Sequence, residues 1–365
     1  MLWTTIEGTI SAVTENPFNF NYTSKLACFD LDSTLIKTKS KKKFAINEND
    51  WVFYSDNLPE KITKLHNDGF CLIIITNQAG LTTSEKIASW KTKLNNIVSS
   101  LKVPFKLFAS KSHDMYRKPL PTFMTDIYKI LHEKNIKIDN KSFYCGDACG
   151  RKSDHSDCDY KFALNCNLKF ITPNELFEDE NVIIPEIIYP AFIEIKNMIA
   201  DKNINNYIAS NKEMILMVGY PGSGKSTYVN NTLVPLNYVR INRDILHTIQ
   251  KCLKETKKNL ELNKNVVIDN INNDTKTREQ YIKLASNFGY KVKCIIIDVS
   301  LDVAMHNSIY RFYKKQAAPI PNIVYHVYKK KYVEPSLDEG INEIIKIKPK
   351  IKLPLDTDYI TSYMY

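Results

Sequence analysis

Gly219-Tyr220-Pro221-Gly222-Ser223-Gly224-Lys225-Ser226 decides how the second half of this chain is read. It fits G-x-x-x-x-G-K-[ST] at every fixed position. Apolar Met214 to Val218 precedes it, and an amphipathic stretch starting near Thr227 follows. Small residues let backbone N–H groups surround phosphate oxygens, and the helix N-terminus adds a favourable partial charge. A strand, a phosphate-cradling turn and a helix are therefore predicted. Gly219, Gly222, Ser223, Gly224, Lys225, Ser226 and Thr227 are the expected ATP-binding residues, with Lys225 on the β/γ-phosphates and Ser226 on Mg²⁺.

Downstream, Ile241-Asn242-Arg243-Asp244 follows at the distance of one helix and a short strand. Asp244 is placed to take a proton from an attacking hydroxyl. The plainer reading makes it the N-cap of a helix over 245–254. Asp269 ends the apolar run Val266-Val267-Ile268 and resembles a Walker B acid, or else a simple turn residue. Cys294 to Val299 reads as a further buried strand.

Upstream, the chain breaks around 178–210, with Glu178-Asp179-Glu180, Pro185, Pro190 and an Asn-rich stretch. Before the break, short apolar runs at 26–31, 70–76, 105–110, 142–145 and 169–172 alternate with helical patterns at 59–68, 84–101 and 121–134. Such alternation predicts βαβ units and a parallel sheet, with ligands at the strand tips. The expected organisation is α/β with two domains: 1–185, a linker at 186–210, and 211–365.

The tips of the first half carry the chemistry. Asp30-Leu31-Asp32-Ser33-Thr34 follows the first strand, and carboxylates at i and i+2 are expected on one side. Such a pair suits a nucleophile and a general acid, and would hold Mg²⁺. Thr76-Asn77-Gln78, Arg117-Lys118-Pro119 and Gly146-Asp147 add a hydroxyl, a lysine and a third carboxylate. Together they form an expected phosphate site (Thr76, Asn77, Lys118) with its metal (Asp30, Asp32, Asp147). The chain has only 10 Gly among 365 residues, and half of them fall beside Asp147 or in the P-loop.

Composition bounds the rest. The 44% hydrophobic and 25% charged content suits two globular cores and excludes a disordered or collagen-like chain. No apolar run approaches a membrane span, and residues 1–10 have no signal-peptide pattern. A formal charge of +10 favours polyanionic partners, although an AT-rich codon bias would also enrich Lys. The Lys run at 37–43 reads as a solvated loop, with nucleic-acid contact or a localisation signal as alternatives. Reduced thiols are expected for the 8 Cys, and Cys145, Cys149, Cys158 and Cys166 with His155 lack a repeated C-x-x-C zinc spacing.

The first half resembles haloacid dehalogenase phosphatases in its motifs Asp30/Asp32/Thr34, Thr76, Lys118 and Asp147. The whole chain resembles the bifunctional polynucleotide kinase 3′-phosphatases through FDLDSTLI (29–36), IITNQAG (74–80), YRKP (116–119), YCGDACGR (144–151), DYKFALN (159–165), VGYPGSGKST (218–227), INRDILHTIQKC (241–252) and VVIDNINNDTKTR (266–278). The resemblance implies a haloacid dehalogenase-like sheet followed by a P-loop NTPase-like sheet. It implies Asp30 as the nucleophile on a 3′-phosphate, Asp32 as general acid and base, and Asp147 completing the Mg²⁺ site. Asp244 becomes the base for a 5′-hydroxyl, and Arg311 a lid residue on ATP. DNA or RNA ends are the implied partners, with a DNA ligase acting next. The implied compartment is intracellular: nuclear by family default, or cytoplasmic for a large DNA virus.

Three departures from that family stand out. The phosphatase motif begins at residue 30, so no forkhead-associated domain, and no scaffold contact through one, is expected. The lid segment reads Ala304-Met305-His306-Asn307-Ser308-Ile309-Tyr310-Arg311, with Met305 and Ile309 where the family has arginines. Lys314 and Lys315 are candidate substitutes, without the bidentate fork. Tyr160 replaces an arginine, and the neighbouring basic insertion is short. Two other readings stay open: a small-molecule phosphatase fused to a nucleoside or sugar kinase, and a nucleic-acid-binding protein with a decayed kinase.

Overall fold

The structure, a computed structural model, describes residues 1–6, 9–14, 23–200, 207–352 and 356–365. The chain divides into two compact units: Met1–Ile188 together with Ser362–Tyr365, and Tyr189–Thr361. Part of the Asn-rich stretch, 203–206, lies outside the described residues.

The first unit is built on strands β1 (Leu2–Ile6), β2 (Thr9–Val13), β3 (Thr23–Phe29), β4 (Phe70–Asn77), β5 (Lys106–Ser110), β6 (Phe143–Cys145) and β7 (Lys169–Ile171). Their spatial order is β1-β2-β5-β4-β3-β6-β7. The core of the sheet is parallel, as the alternating pattern predicts. Successive residues of β3 bury on opposite faces: Ala27 and Phe29 join one cluster, Leu26 and Cys28 the other. A strand covered on both faces reads as a continuous apolar run. Helices α1 (Leu58–Asn67), α2 (Ser84–Leu101), α3 (Thr122–Glu133) and α4 (Cys158–Asn165) belong to the unit, with a short helix over Pro173–Phe177. One feature departs from expectation. β1 and β2 form an antiparallel hairpin, and β2 runs antiparallel to β5, so the sheet has an antiparallel edge.

Ser362–Tyr365 also belong here. Asn165 donates from Nδ2 to the Tyr363 and Pro119 carbonyls, and its Oδ1 accepts from the Tyr363 N–H, each at 2.8 Å. Lys161 donates to the Tyr365 backbone oxygen at 2.8 Å, and Met364 is buried.

The second unit opens with α5 (Pro190–Met198), which corrects the expected 186–210 linker. Pro190 sits at the first helical turn, where its missing N–H is harmless. Ala191, Ile195 and Met198 form a buried face with helical spacing. The sheet consists of β8 (Glu213–Val218), β9 (Val239–Ile241), β10 (Val266–Ile268), β11 (Lys291–Ile297) and β12 (Glu343–Ile347), in the order β9-β10-β8-β11-β12 and parallel throughout. Its helices are α6 (Lys225–Tyr228), α7 (Arg243–Leu246), α8 (Ile249–Glu261), α9 (Thr275–Asn287), α10 (Leu301–Tyr313), α11 (Asn322–Lys331) and α12 (Thr357–Thr361). The single helix expected over 245–254 is broken at His247, whose φ is +69°. Asn242 caps α7 and Thr248 caps α8, so Asp244 is not the N-cap. Among the described residues no helix is long and apolar enough to cross a membrane.

Candidate active sites

In the first unit, parallel register brings three strand tips together: Phe29 pairs with Ile74 on one side and Cys145 on the other. Asp30, next after β3, is buried, and its N–H donates to the Cys145 carbonyl at 2.9 Å. Lys118 enters from the β5–α3 connection. Its Nζ donates to Asp30 Oδ1 (2.6 Å), Asp159 Oδ1 (2.7 Å) and the Tyr144 hydroxyl (2.7 Å), with its side chain 2% exposed. Carboxylate oxygens of Asp30, Asp147 and Asp159 lie within 4.8 Å of one another.

Three carboxylates around one ammonium make a site rich in negative charge. Burial above all, with Asp159 and Asp147 beside it, holds the Asp30 carboxyl up at about 8 against the downward pull of Lys118. Burial and Asp159 likewise raise Asp147 to about 6. Excess buried carboxylate with hard oxygen donors suits a divalent cation. Thr34 Oγ1 donates to Asp147 at 3.4 Å, and Thr76 is buried beside the tip of β4.

Two expected residues stand differently. Asp32 is not part of the buried acidic group. Strand alternation ends with β3 at Phe29, and the chain then curls so that Leu35 and Ile36 both donate to the Leu31 carbonyl. The Asp32 carboxylate is 53% exposed, lies outside the acidic group, and accepts from Gln78 Nε2 at 2.6 Å. Asn77, expected on phosphate, uses its amide on the backbone of Lys118: Oδ1 accepts from its N–H (3.0 Å) and Nδ2 donates to its carbonyl (3.2 Å). Both contacts tie Asn77 to the backbone that carries Lys118.

Asp159 is the acid that motif reading missed. It sits at the start of α4, 2% exposed, and also accepts from the Ala148 N–H at 3.1 Å. Gly146 makes room for it, because a Cβ there would lie 2.6 Å from the Asp159 side chain. The available signal was that glycine, followed by an acid at the start of the next short helix. Tyr160 packs on Phe170.

In the second unit the P-loop connects β8 to α6. Gly222 and Gly224 take φ of +83° and +100°. A Cβ on Gly222 would come within 2.4 Å of the Ala304 carbonyl oxygen, so only glycine lets the loop meet α10. Lys225 is buried, donates to the Gly219 and Tyr220 carbonyls at 2.8 Å each, and is lowered to about 8 by burial. Ser223 Oγ is buried without a hydrogen-bond partner. A buried lysine, an orphaned hydroxyl and glycine backbone together fit a phosphate chain. Beside the loop lies a cavity of about 400 Å³ whose lining includes Thr227, Asn231, Asn307, Tyr310, Arg311 and Tyr359. That places expected residues Thr227 and Arg311 at one cavity.

Asp269 is buried at the tip of β10, paired with Arg240 at 2.6 Å and accepting from Asn242 Nδ2 at 3.2 Å. Asp244 is exposed on α7. Lys314 does not substitute for the missing lid arginines, because its ammonium is held by Asp356 (2.8 Å) and Asp358 (2.7 Å).

Comparison with known proteins bears on both units. Residues 25–177 match the family model described as polynucleotide kinase 3 phosphatase, and 214–256 match an AAA domain model. A bifunctional polynucleotide phosphatase/kinase of Schizosaccharomyces pombe is 32% identical over 333 residues, covering 89% of this chain and 80% of the relative. An Acanthamoeba polyphaga mimivirus protein named for the same two activities is 33% identical over 383 residues, covering 94% and 89%. The polynucleotide 3′-phosphatase ZDP of Arabidopsis thaliana is 36% identical over 185 residues, 45% of this chain and 25% of the relative. With a phosphatase-type tip cluster, a P-loop and relatives aligned along most of its length, the chain belongs to the bifunctional polynucleotide phosphatase/kinase family.

Proposed function

We propose that this chain repairs nucleic-acid ends, removing a 3′-phosphate in the first unit and phosphorylating a 5′-hydroxyl in the second. The observation that carries the phosphatase reading is the buried Asp30–Lys118 pair at the junction of three strand tips. The Asp30 carboxylate attacks phosphorus and the P–O3′ bond breaks. Asp32 gives its proton to the leaving O3′, then takes one from the water that releases phosphate. Thr76 and Lys118 stabilise the phosphoryl oxygens as charge builds on them. Asp30, Asp147 and Asp159 would hold Mg²⁺, which neutralises phosphoryl charge when bound.

In the second unit the P-loop orients ATP. The 5′-hydroxyl oxygen attacks the γ-phosphorus, Asp244 accepts its proton, and ADP leaves. The products, a 3′-hydroxyl and a 5′-phosphate, are what a DNA ligase joins.

The test is a nicked duplex bearing 3′-phosphate and 5′-hydroxyl, incubated with Mg²⁺ with and without labelled ATP. The expected result is 3′-phosphate loss without ATP and 5′-labelling only with it. Asp30→Asn should abolish the first and spare the second; Lys225→Ala should do the reverse. Turnover of nucleoside 3′-phosphates in preference to the nick would refute the nucleic-acid reading.

A further inference from the structure

The buried face of α2 runs Trp90, Lys93, Leu94, Ile97, Val98 and Leu101. Every position but one is apolar, and the exception is a lysine whose side chain is 8% exposed. Burying an ammonium is unfavourable unless it is paired and hydrogen-bonded. Yet Lys93 has a single ionic partner among the described residues: Asp32, with Nζ 3.6 Å from Oδ1. That distance exceeds hydrogen-bond reach, so the attraction is Coulombic. The other Asp32 oxygen, Oδ2, accepts from Gln78 Nε2 at 2.6 Å, and Gln78 also donates to Thr76 Oγ1 at 3.1 Å. A cation on a core-facing helix position thus points at the half-exposed carboxylate read above as the general acid and base.

We propose that Lys93 is a positioning residue for the phosphatase reaction, holding the Asp32 carboxyl between α2 and Gln78. This rests on the reading of Asp30 and Asp32 given above. An acid that is 53% exposed on a curled loop has several rotamers open to it. Gln78 tethers one oxygen, and the field of Lys93 draws the other, so the carboxyl faces the phosphoryl site in one orientation. The α2 backbone sets the cation, the sheet sets Gln78, and the proton carrier lies between them. Because Lys93 acts through Asp32, it changes the rate of proton transfer and leaves substrate affinity alone.

The experiment uses the full chain and a 3′-phosphorylated oligonucleotide. Lys93→Met should lower phosphatase kcat about tenfold or more with KM within about twofold, and Lys93→Arg should recover most of the loss. In an Asp32→Asn background, read by single turnover, Lys93→Met should add less than about twofold, since coupled residues are non-additive. Kinase activity, measured on each variant, should not change. A raised KM with kcat intact would make Lys93 a substrate contact and overturn the proposal. So would a full additional loss in the Asp32→Asn background, failure of arginine to restore activity, or no effect at all. Asp30→Asn is run alongside. If it kept its phosphatase activity, the reading of the site itself would fail, which is a different result from an inert Lys93.

Discussion

Replacing Lys118 with methionine keeps most of its volume and deletes one charge. In the native protein that ammonium touches Asp30 at 2.6 Å, Asp159 at 2.7 Å and the Tyr144 hydroxyl at 2.7 Å, almost out of contact with water. Its loss leaves Asp30, Asp147 and Asp159 facing one another with no cation between them. Breaking a buried pair by removing one partner costs about 3–5 kcal/mol. For a unit of this size that corresponds to a drop of about 6–20 °C in its unfolding temperature. The loss should depend on pH. Acids whose folded pKa lies above the unfolded value destabilise the fold increasingly as pH rises between the two. Asp30 is already at about 8 and Asp147 at about 6 with the lysine present, and deleting it raises both. Lys118 itself stays charged throughout that range, so its own titration adds nothing. The defect should therefore be large at pH 8 and shrink towards pH 5, where Asp30 and Asp147 are protonated. Calorimetry at both pH values, with the kinase assayed in parallel, measures this. An unchanged transition at pH 8, or an equal loss at pH 5 and pH 8, would refute the account of Lys118 as the counter-charge of the cluster.

Other predictions concern the second unit. Lys225 is lowered to about 8. If phosphates bind its charged form, the Kd for ATP should rise by about tenfold per pH unit above 8 and stay flat below it. Titrations at pH 7, 8 and 9 decide this, and a pH-independent Kd would show that Lys225 does not meet the phosphates. Gly222→Ala places a Cβ against the Ala304 carbonyl in a left-handed backbone. It should destabilise the second unit by about 1–3 kcal/mol and remove 5′-labelling while leaving 3′-phosphate removal intact.

What the sequence carries and what it hides follow from the range of the interactions. α2 lies where its periodicity puts it, over Ser84–Leu101, and β8 followed by a P-loop is a local pattern with a local mechanism. Asp159 is different. Its partner Lys118 lies 41 residues away and the helix bearing it is only 8 residues long, so no window of sequence shows the pair. Lys93 looks like a solvated helix charge until the fold turns it inward. The β1–β2 hairpin has no apolar alternation strong enough to separate it from loop. α5 was masked by Pro190, which opens a helix as readily as it breaks one. The i, i+2 spacing of Asp30 and Asp32 did not show that only Asp30 joins the buried acidic group, because alternation belongs to strands and β3 stops at Phe29.

The attachment of Ser362–Tyr365 to α4 has a bearing on how the molecule is made. Asn165 and Tyr363 lie 198 residues apart in the chain, and the whole second unit is encoded between them. Synthesis at roughly 5–20 residues per second leaves α4 outside the ribosome for ~10–40 s before the segment that covers it exists. Throughout that interval the first unit lacks its last four residues while the second, one uninterrupted stretch, is being made. The unit begun first is finished last, and the helix that carries Asp159 gains these contacts only after the second unit has been made.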